Sequence, residues 1–575
     1  MSATSQPASP GHSRPPLFRT LQAHLLLLGS YAGFTVAATW PLARDAASRL
    51  AGDRLDPLQT LWGFWFIRRS WEHGVWPTRT DMLWWPDGVP LWFQTWDIPS
   101  AVVVLPLWGL LSDVSIYNVV LFATFPLSGY AMFALGRELQ FDRLSAFVCG
   151  AYYTFSSYHF AAATSNLHIA SMQWSPLFLC FLLRASRTRR SGDALIAGVM
   201  AGLATLASLY HAVFCALAAP FALMAARQRG DRWSLERLVY LVALALASYA
   251  IVAGWLVVGL IQTYQAGVFA GEHDPMNYSA DLLSFVVPNA ISVWSGMSEH
   301  WRSWSGTPWS TAPYVGAAAL AVAIYACAVV PGSRVWLAMA GMGALLALGP
   351  YVQIGGQMFP SWPLPYAWLE RAIPGLAFGG IVSRFAWLTL AGVAIAIGAA
   401  LTDLRVRWRA SRPAWIGAIG IIFLLEAWPR PMPMSHYPRP TFPDNWLQGR
   451  PGAVLDMSAD PIVRSRALWH QMFHERPIFG GYITRWPRVA EQRLRSHPAV
   501  AALHPLGEAH LPGAPAPSAM LTALRQDDIS YVIVARDSRD RADGMGLSLV
   551  GQDGDLLFYE VPGASQGISG AFSTP

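Results

Sequence analysis

The sequence contains no lysine, so all 40 of its basic residues are arginine. Charged residues make up only 13% of the 575 residues, about half of the ~25% that is usual in soluble domains. Apolar residues make up 54% of the chain. This combination excludes a single large soluble core and indicates a chain that crosses a membrane many times.

Cysteine is also scarce. The four cysteines all lie inside apolar segments, where they are typical of small buried hydrophobes: Cys149, Cys180, Cys215 and Cys327. The sequence therefore predicts neither a disulfide framework nor a cysteine zinc site. The net charge of +6 comes from short arginine runs between apolar segments. That pattern indicates contact with membrane lipids and no nucleic-acid partner.

Eleven apolar runs are predicted to be membrane spans. The first, 20–40, lacks a small-residue cleavage site and is interpreted as a retained span. The others are 114–135, 143–161, 168–184, 194–210, 211–226, 236–262, 313–331, 335–352, 380–402 and 413–428. The run 98–111 has fourteen residues, fewer than the ~20 that cross a bilayer, and is interpreted as re-entrant or interfacial.

Arginine placement decides the orientation of the chain. The short loops that carry the arginine clusters, with their flanks, are 136–142, 185–193, 227–235, 332–334 and 403–412. If 98–111 does not cross, all of them lie in the cytoplasm, as the positive-inside rule requires. If it does cross, all of them lie outside. The sequence therefore predicts a multi-pass protein of the bacterial inner membrane, with a cytoplasmic N-terminus and an extracytoplasmic C-terminus.

Three long loops then face outward, at 41–97, 263–312 and 353–379, and all are rich in Trp, Pro and Gly. We call them the first, second and third outer loops. Long structured loops on one membrane face usually carry function. The predicted organisation is a disordered cytoplasmic tail at 1–17, a membrane domain at 18–430, a Pro-rich linker at 431–450, an extracytoplasmic domain at 451–563 and a disordered tail at 564–575.

The C-terminal domain is predicted to be small and α/β. Its predicted strands are 453–457, 529–535 and 556–561, and its predicted helices are 464–475, 488–495 and 517–526. His470 and His474 have the spacing of helical metal ligands, but Gln471 stands where a zinc protease needs Glu, so metal binding is disfavoured. Gly480-Gly481-Tyr482 is interpreted as a tight turn.

Candidate chemistry begins in the first outer loop, with Asp53 and Asp56. A carboxylate at the membrane surface can take a proton from an attacking hydroxyl. Two carboxylates three residues apart can instead share a divalent cation. A third interpretation is a helix start, since Asp56 precedes Pro57 at the first helical position. Spacing alone leaves these alternatives open.

Other polar residues fall on the same predicted face. They are Asp97, His159, His168, Asp281 and Arg384. A histidine in a loop is usually just solvated, and an arginine at the edge of a span usually snorkels to ordinary headgroups. The functional alternative for Arg384 is a pair of hydrogen bonds to a lipid phosphate.

Several motifs occur in a fixed order along the chain. They are Asp56-Pro57 with Trp62 and Trp65, Trp85-Pro86-Asp87-Gly88, His159 and His168 with Trp174-Ser175-Pro176-Leu177, Ser279-Ala280-Asp281-Leu282, and Arg384-Phe385. In this order the chain resembles the bacterial integral-membrane glycosyltransferases of the GT-C superfamily, including relatives with a C-terminal extracytoplasmic domain. The resemblance covers 20–430, and the C-terminal domain in general character.

The resemblance implies both a fold and a reaction. The fold is a polytopic α-helical membrane protein of about eleven spans with a small C-terminal α/β domain. The reaction is inverting transfer of a hexose or pentose from a polyprenyl-phosphate-linked donor to a glycan, lipid or protein acceptor on the outer face. Metal dependence stays open between a divalent cation, Mg²⁺ or Mn²⁺, and none.

The same resemblance implies roles for individual residues. Asp56 would be the general base, with Asp53 as the second candidate. Arg384 would stabilise the leaving phosphate. The remaining candidates for binding the substrate are His159, His168, Asp281 and Asp97.

Two other classes of function fit parts of the sequence. One is a transporter or flippase for lipid-linked glycans, and the other is a non-catalytic factor of envelope assembly. A transporter is expected to carry ionisable residues in the middle of its spans and some repeat symmetry. Here the charges cluster at span ends and no internal repeat stands out, so the glycosyltransferase hypothesis is preferred.

Overall fold

The computed structural model describes residues 17–230, 234–270, 274–296, 313–372, 379–407, 413–444, 446, 451–458, 464–503 and 516–564. The predicted tails at 1–17 and 564–575 lie almost wholly outside these residues.

Long apolar helices dominate the part before residue 430. Among the described residues, five are long and apolar enough to cross a bilayer: Leu21–Ala38, Asp113–Glu138, Leu209–Gln228, Leu235–Gln265 and Val382–Arg407. Such helices satisfy their own backbone hydrogen bonds, as lipid requires. Ala317–Val329 and Pro331–Ala347 form a pair bent by 119°, which brings the number of candidate spans to six. The chain is therefore a helical membrane protein, and the count of eleven spans stays a prediction.

Shorter helices complete the membrane part and the loops around it. Those with more than seven residues are Asp56–Glu72, Arg143–Thr154, Ser157–Ser165, Trp174–Thr188, Ser191–Ala207, Pro365–Ala372 and Pro413–Glu426. Those with seven or fewer are Leu42–Asp45, Ile98–Val104 and Leu167–Ala170.

The predicted spans at 143–161 and 168–184 are not single helices, because each range is broken into two helices. In their place are Arg143–Thr154 with Ser157–Ser165, and Leu167–Ala170 with Trp174–Thr188. The hydroxyl of Ser156 accepts a hydrogen bond from the amide of His159 at 3.3 Å. This N-cap begins a new helix where the apolar pattern alone continues.

The first outer loop contacts the C-terminal domain directly. The amide of Trp84 donates to the carbonyl of Gly480 at 2.7 Å. Both segments therefore lie on one side of the membrane, which requires an even number of crossings between them. The ten spans predicted after 98–111 are an even number, and this count stays a prediction. The ten-residue helix Ile98–Leu107 is also about 15 Å long, half of the ~30 Å hydrocarbon core.

The predicted orientation has a direct test. A reporter enzyme that works only outside the cytoplasm should be active when it is fused after residue 430. The same reporter fused after residue 190, in a predicted cytoplasmic arginine loop, should be inactive. Activity at 190 and none at 430 would reverse the orientation of the whole chain.

The C-terminal domain is built on a four-stranded sheet. Its strands lie in the spatial order Ser548–Asp553, Leu556–Glu560, Ile529–Ala535 and Ala453–Met457, with the last two parallel and the other pairs antiparallel. Its helices are Arg464–His474, Arg488–Ser496, Pro498–Leu503, Pro517–Gln526 and Arg539–Gly544. Strand Ile529–Ala535 is almost fully buried, which explains its continuous β-branched and apolar sequence.

Four short antiparallel strand pairs form within and between the loops. They are Leu50–Ala51 with Met434–Ser435, Arg79–Thr80 with Val89–Pro90, Phe269–Ala270 with Trp486–Pro487, and Tyr351–Ile354 with Gln357–Pro363. Two of these pairs join the membrane part to the chain after its last span. The C-terminal domain is thus fixed to the first and second outer loops by backbone hydrogen bonds.

A buried ion pair lies inside the C-terminal domain. His470 Nδ1 is 2.7 Å from Asp456 Oδ2, and both side chains are 2% exposed. Burial by itself would raise the pKa of Asp456, but the charge and hydrogen bond of His470, with hydrogen bonds from Ser458, hold it below its usual value. The pair links the helix Arg464–His474 to the strand Ala453–Met457.

Removing one partner of this pair should destabilise the domain strongly. We expect His470→Ala to lower the free energy of unfolding by about 3–5 kcal/mol, because it leaves a buried carboxylate unpaired. Thermal unfolding of the purified full chain in detergent measures the loss. His436→Ala, at an exposed position, is the control, and equal melting temperatures for the two variants would contradict the prediction.

Candidate functional site

A cavity of about 290 Å³ lies where the first outer loop, the end of the third outer loop and the C-terminal domain meet. We call it the central cavity. Aromatic and aliphatic side chains form most of its wall. Its polar lining includes Gln94, Thr95, His168, Thr205, Ser208, Tyr210, Tyr366, Arg384, Thr484 and Arg485. An apolar wall with a few convergent polar groups is typical of a small-molecule site, and here the charged lining residues are arginines.

Arg384 is held in this wall by contacts on two sides. It lies on the short turn Val382–Phe385, just before a long membrane helix. Its Nη2 donates to Asn166 Oδ1 at 2.7 Å, and its guanidinium carbon lies 4.6 Å from the centre of the Tyr210 ring. The Tyr210 hydroxyl in turn donates to the carbonyl of Gly379 at 2.7 Å. This framework fixes the plane of the guanidinium at the cavity, where it can bind an anion.

His168 also lines the central cavity, with an unusual feature. Its side chain is 4% exposed, and neither ring nitrogen has a hydrogen-bond partner among the described residues. A buried polar group without a partner is costly, and such groups are rare in folded proteins. A polar group of a ligand in the cavity would supply the missing partner.

His159, predicted as a second substrate-binding histidine on an outer turn, lies elsewhere. It is fully buried, its Nδ1 is 2.8 Å from the carbonyl oxygen of Thr154, and its Nε2 is 3.3 Å from Thr124 Oγ1. Its ring stacks on Phe125 with 4.1 Å between the ring centres. His159 does not line the central cavity. Its contacts are those of a side chain that packs helices together.

Asp56 lies at the start of the helix Asp56–Glu72 and is partly buried. The hydroxyl of Tyr482 donates to its Oδ1 at 2.9 Å. Burial and the negative charge of Asp53 raise the pKa of Asp56 to about 6, although the Tyr482 hydrogen bond and the charge of Arg384 oppose the rise. A carboxyl group with this pKa can accept a proton efficiently near neutral pH.

Asp56 stands behind the cavity wall and is not itself one of the lining residues. One helical turn further along, Gln59 Nε2 donates to Gln94 Oε1 at 3.1 Å and to Thr484 Oγ1 at 3.3 Å. Both of these partners line the cavity. The helix that carries Asp56 therefore supports the wall directly.

Asp53 is engaged in starting that helix. Its Oδ1 accepts hydrogen bonds from the amides of Leu55 at 2.9 Å and Asp56 at 3.3 Å. The helix itself starts at Asp56, with Pro57 next, as the helix-start interpretation predicted for that residue. The two aspartates, equivalent candidates by spacing, therefore have different environments.

The carboxylates of Asp97 and Asp281 also accept hydrogen bonds from other groups of the protein. Asp97 is fully buried and accepts a hydrogen bond from Ser171, and burial raises its pKa to about 6. Asp281 Oδ1 accepts from the amide of Leu283 at 2.8 Å, and its Oδ2 accepts from the amide of Gly356 at 2.8 Å. Neither residue lines the central cavity. The hydrogen bond between Asp281 and Gly356 joins the second outer loop to the third outer loop.

The C-terminal domain supplies site residues that the sequence interpretation missed. Tyr482 contacts Asp56, while Thr484 and Arg485 line the cavity. The interpretation of Gly480-Gly481-Tyr482 as a simple tight turn was incomplete. A signal was present, because the stretch 479–487 contains three aromatic residues, two Gly and one Pro, as the outer loops do.

Among the described residues, no group of three or more His, Cys, Asp or Glu side chains could hold a metal ion. In the helical pair His470 and His474, each ring contacts another group of the protein. His470 bonds Asp456, and His474 Nδ1 accepts from the amide of Arg476 at 3.0 Å.

Comparison with known proteins gives solved structures to which the chain is similar. Arabinofuranosyltransferase AftD from Mycobacteria has a TM-score of 0.53 at 14% identity, covering 95% of this chain and 40% of that chain. Oligosaccharyltransferase AglB from Archaeoglobus fulgidus, in complex with an inhibitory peptide and a dolichol-phosphate, has a TM-score of 0.47 at 12% identity, covering 92% and 71%. ArnT from Cupriavidus metallidurans, bound to undecaprenyl phosphate, has a TM-score of 0.42 at 12% identity, covering 94% and 99%. No curated protein matches the chain.

The similarity to AftD extends over nearly the whole of this chain, which spans about 40% of the AftD length. At 14% identity, this likeness shows a similar fold. Residues 26–425 match the family described as a domain of unknown function, DUF6311. Because this match covers well over half of its residues, the chain belongs to the DUF6311 family.

Proposed function

We propose that this protein is a membrane glycosyltransferase that uses a polyprenyl-phosphate-linked sugar and acts on the extracytoplasmic face. The observation that carries the proposal is the placement of Arg384 in the wall of the central cavity, with Asp56 on the helix that supports this wall, on a GT-C fold. Asp56 has a pKa of about 6, and Arg384 lies close enough for its charge to lower that value. Glycosyl transfer from a phosphate requires a base and an anion-binding group, and here the anion-binding group lines the cavity while the base lies next to its wall.

The proposed reaction is a single displacement at the anomeric carbon of the donor. An acceptor hydroxyl attacks this carbon, the bond from the carbon to the phosphate oxygen breaks, and polyprenyl phosphate leaves. Asp56 takes the hydroxyl proton. One displacement from the face opposite the leaving group inverts the anomeric configuration.

The leaving phosphate gains negative charge as its bond to the sugar breaks. Arg384 can donate two hydrogen bonds to it from a guanidinium that Asn166 and Tyr210 already hold in place. Donors fixed before the reaction stabilise a developing charge without reorganisation. His168, whose ring nitrogens lack partners among the described residues, is proposed to bind a hydroxyl of the sugar or a phosphate oxygen.

A second cavity is suited to bind the lipid chain of the proposed donor. It has a volume of about 500 Å³ and lies between the helices Trp174–Thr188, Ser191–Ala207, Leu209–Gln228 and Leu235–Gln265. Its wall is mostly Ala, Leu and Val. Thr205 lines both this cavity and the central cavity. An isoprenoid chain in the apolar cavity would thus place its phosphate toward Arg384.

The test is sugar transfer by the purified full chain in lipid vesicles. Labelled polyprenyl-phosphate sugars, hexoses and pentoses in turn, are supplied with crude envelope acceptors. We expect label to move from the lipid fraction to an acceptor. Movement of intact labelled lipid between the bilayer leaflets, with no transfer from any donor, would contradict the proposal and favour a flippase.

A further inference from the structure

A segment of the C-terminal domain, residues 478–488, crosses the face of the candidate site. We call it the strap. At its start, the amide of Ile478 donates to the carbonyl of Met82 at 2.9 Å, and the carbonyl of Gly480 accepts from Trp84 at 2.7 Å. The first outer loop therefore holds this end by backbone hydrogen bonds, which persist whatever side chains lie between.

The other end of the strap is held by the second outer loop. Trp486–Pro487 pairs antiparallel with Phe269–Ala270. The amide of Arg488 donates to the carbonyl of Val268 at 3.1 Å, and its Nε donates to the carbonyl of Phe269 at 2.9 Å. The strap is therefore fixed at both ends, and its middle has a defined position over the site.

Side chains from the middle of the strap enter the site. The Tyr482 hydroxyl donates to Asp56 Oδ1 at 2.9 Å. Thr484 Oγ1 lies 3.3 Å from Thr95 Oγ1 and accepts from Gln59 at 3.3 Å. Arg485, 7% exposed, lines the central cavity. The C-terminal domain is thus a wall of the site as well as its cover.

We propose that Tyr482 is a positioning residue that orients the Asp56 carboxylate and sets the acidic limit of sugar transfer. This inference rests on the proposed function. A hydroxyl that donates to a carboxylate favours its charged form and fixes one oxygen, leaving the second oxygen for the acceptor.

The other groups that interact electrostatically with Asp56 are Asp53, Tyr117 and Arg384, and Tyr278 interacts with Tyr482 in the same way. Asp53 raises the pKa of Asp56, whereas Tyr482 and Arg384 lower it. A base is active when it is deprotonated, so the rate falls as the pH falls through its pKa. Loss of the Tyr482 donor raises that pKa, and the fall should therefore begin at a higher pH.

The test is the pH profile of transfer by the full chain in vesicles. We expect Tyr482→Phe to move the acidic limb upward by about one pH unit, the effect of losing one hydrogen bond to a charged group. Tyr559→Phe is the matched control, because Tyr559 donates to Asp543 at 2.8 Å in the same domain, and Asp543 is not a lining residue of the central cavity. The control should leave the limb unchanged.

A second variant covers the case in which Tyr482→Phe is inactive. Incorporation of 3-fluorotyrosine at position 482 keeps the shape of the ring and makes its hydroxyl a stronger donor. The acidic limb should then move to lower pH. An unmoved limb in the fluorinated protein, or in an active Tyr482→Phe protein, would overturn the inference.

Failure of the proposed function gives a different result. If Asp56→Asn transfers sugar as fast as the wild type, the assignment of the base fails, and the role of Tyr482 fails with it. If Asp56→Asn is inactive while neither change at Tyr482 moves the limb, only the Tyr482 inference fails.

Discussion

Replacing Asp56 with Asn is expected to slow sugar transfer by about 10²–10⁴-fold, the usual loss for a general base. Asn has the same shape and can still accept the hydrogen bond from Tyr482, so the helix start should remain folded. What is lost is a carboxylate whose pKa of about 6 suits proton uptake near neutral pH. The measurement is the initial rate of transfer from a labelled donor, divided by the amount of protein in the membrane.

Asp53→Asn is the matched control, with the same charge removed three residues away. Asp53 accepts two backbone hydrogen bonds at the helix start, and Asn caps helices equally well. We expect this variant to keep most of its activity. Because the charge of Asp53 raises the pKa of Asp56, its acidic limb should also move to slightly lower pH. Equal losses in the two variants would contradict the choice of Asp56.

Replacing Arg384 with Ala is expected to slow transfer by about 10²–10³-fold, as when one preorganised donor to a developing anion is removed. The change removes the guanidinium that Asn166 orders, and the stacking on Tyr210. The donor phosphate should also bind more weakly in the ground state. We therefore expect a higher KM for the donor together with a lower kcat, both from initial rates over a range of donor concentrations.

Two further variants separate charge from geometry. Arg384→Lys keeps the charge but loses the planar fork, and it should recover only part of the rate. Arg371→Ala removes an exposed arginine of the third outer loop that does not line the cavity, and its rate should equal that of the wild type. Full activity of Arg384→Ala would remove this residue from the proposed mechanism.

The buried strands of the C-terminal domain were predictable from the sequence, because burial in its sheet demands a continuous apolar pattern. Ile529–Ala535 is one such strand, and it has the predicted bounds. The edge strand Ser548–Asp553 was not predicted, since its residues are partly or fully exposed and follow no apolar pattern. The breaks inside 143–161 and 168–184 were not predicted, because the polar residues at them, such as Ser156 and Ser171, interrupt the apolar runs only briefly.

The two predicted site histidines also show what the sequence could not distinguish. His159 and His168 are nine residues apart and looked equivalent in the sequence. One is satisfied by Thr154 and Thr124 and packs helices, while the other lines the cavity with both nitrogens unpartnered among the described residues. Which ring is satisfied depends on groups from neighbouring helices, and their positions are not set by the local pattern.

The sequence by itself determined that this chain is a membrane protein with long loops. It offered Asp56 through its motif in the first outer loop, and Arg384 because an arginine at the edge of a span is costly unless it is paired or snorkelling. Only the tertiary structure decided what surrounds them. Tyr482 reaches Asp56 from 426 positions further along the chain. That contact, and the pKa it helps to set, depend on backbone pairing between the strap and two outer loops. Such pairing carries almost no side-chain signature, so the sequence did not reveal it.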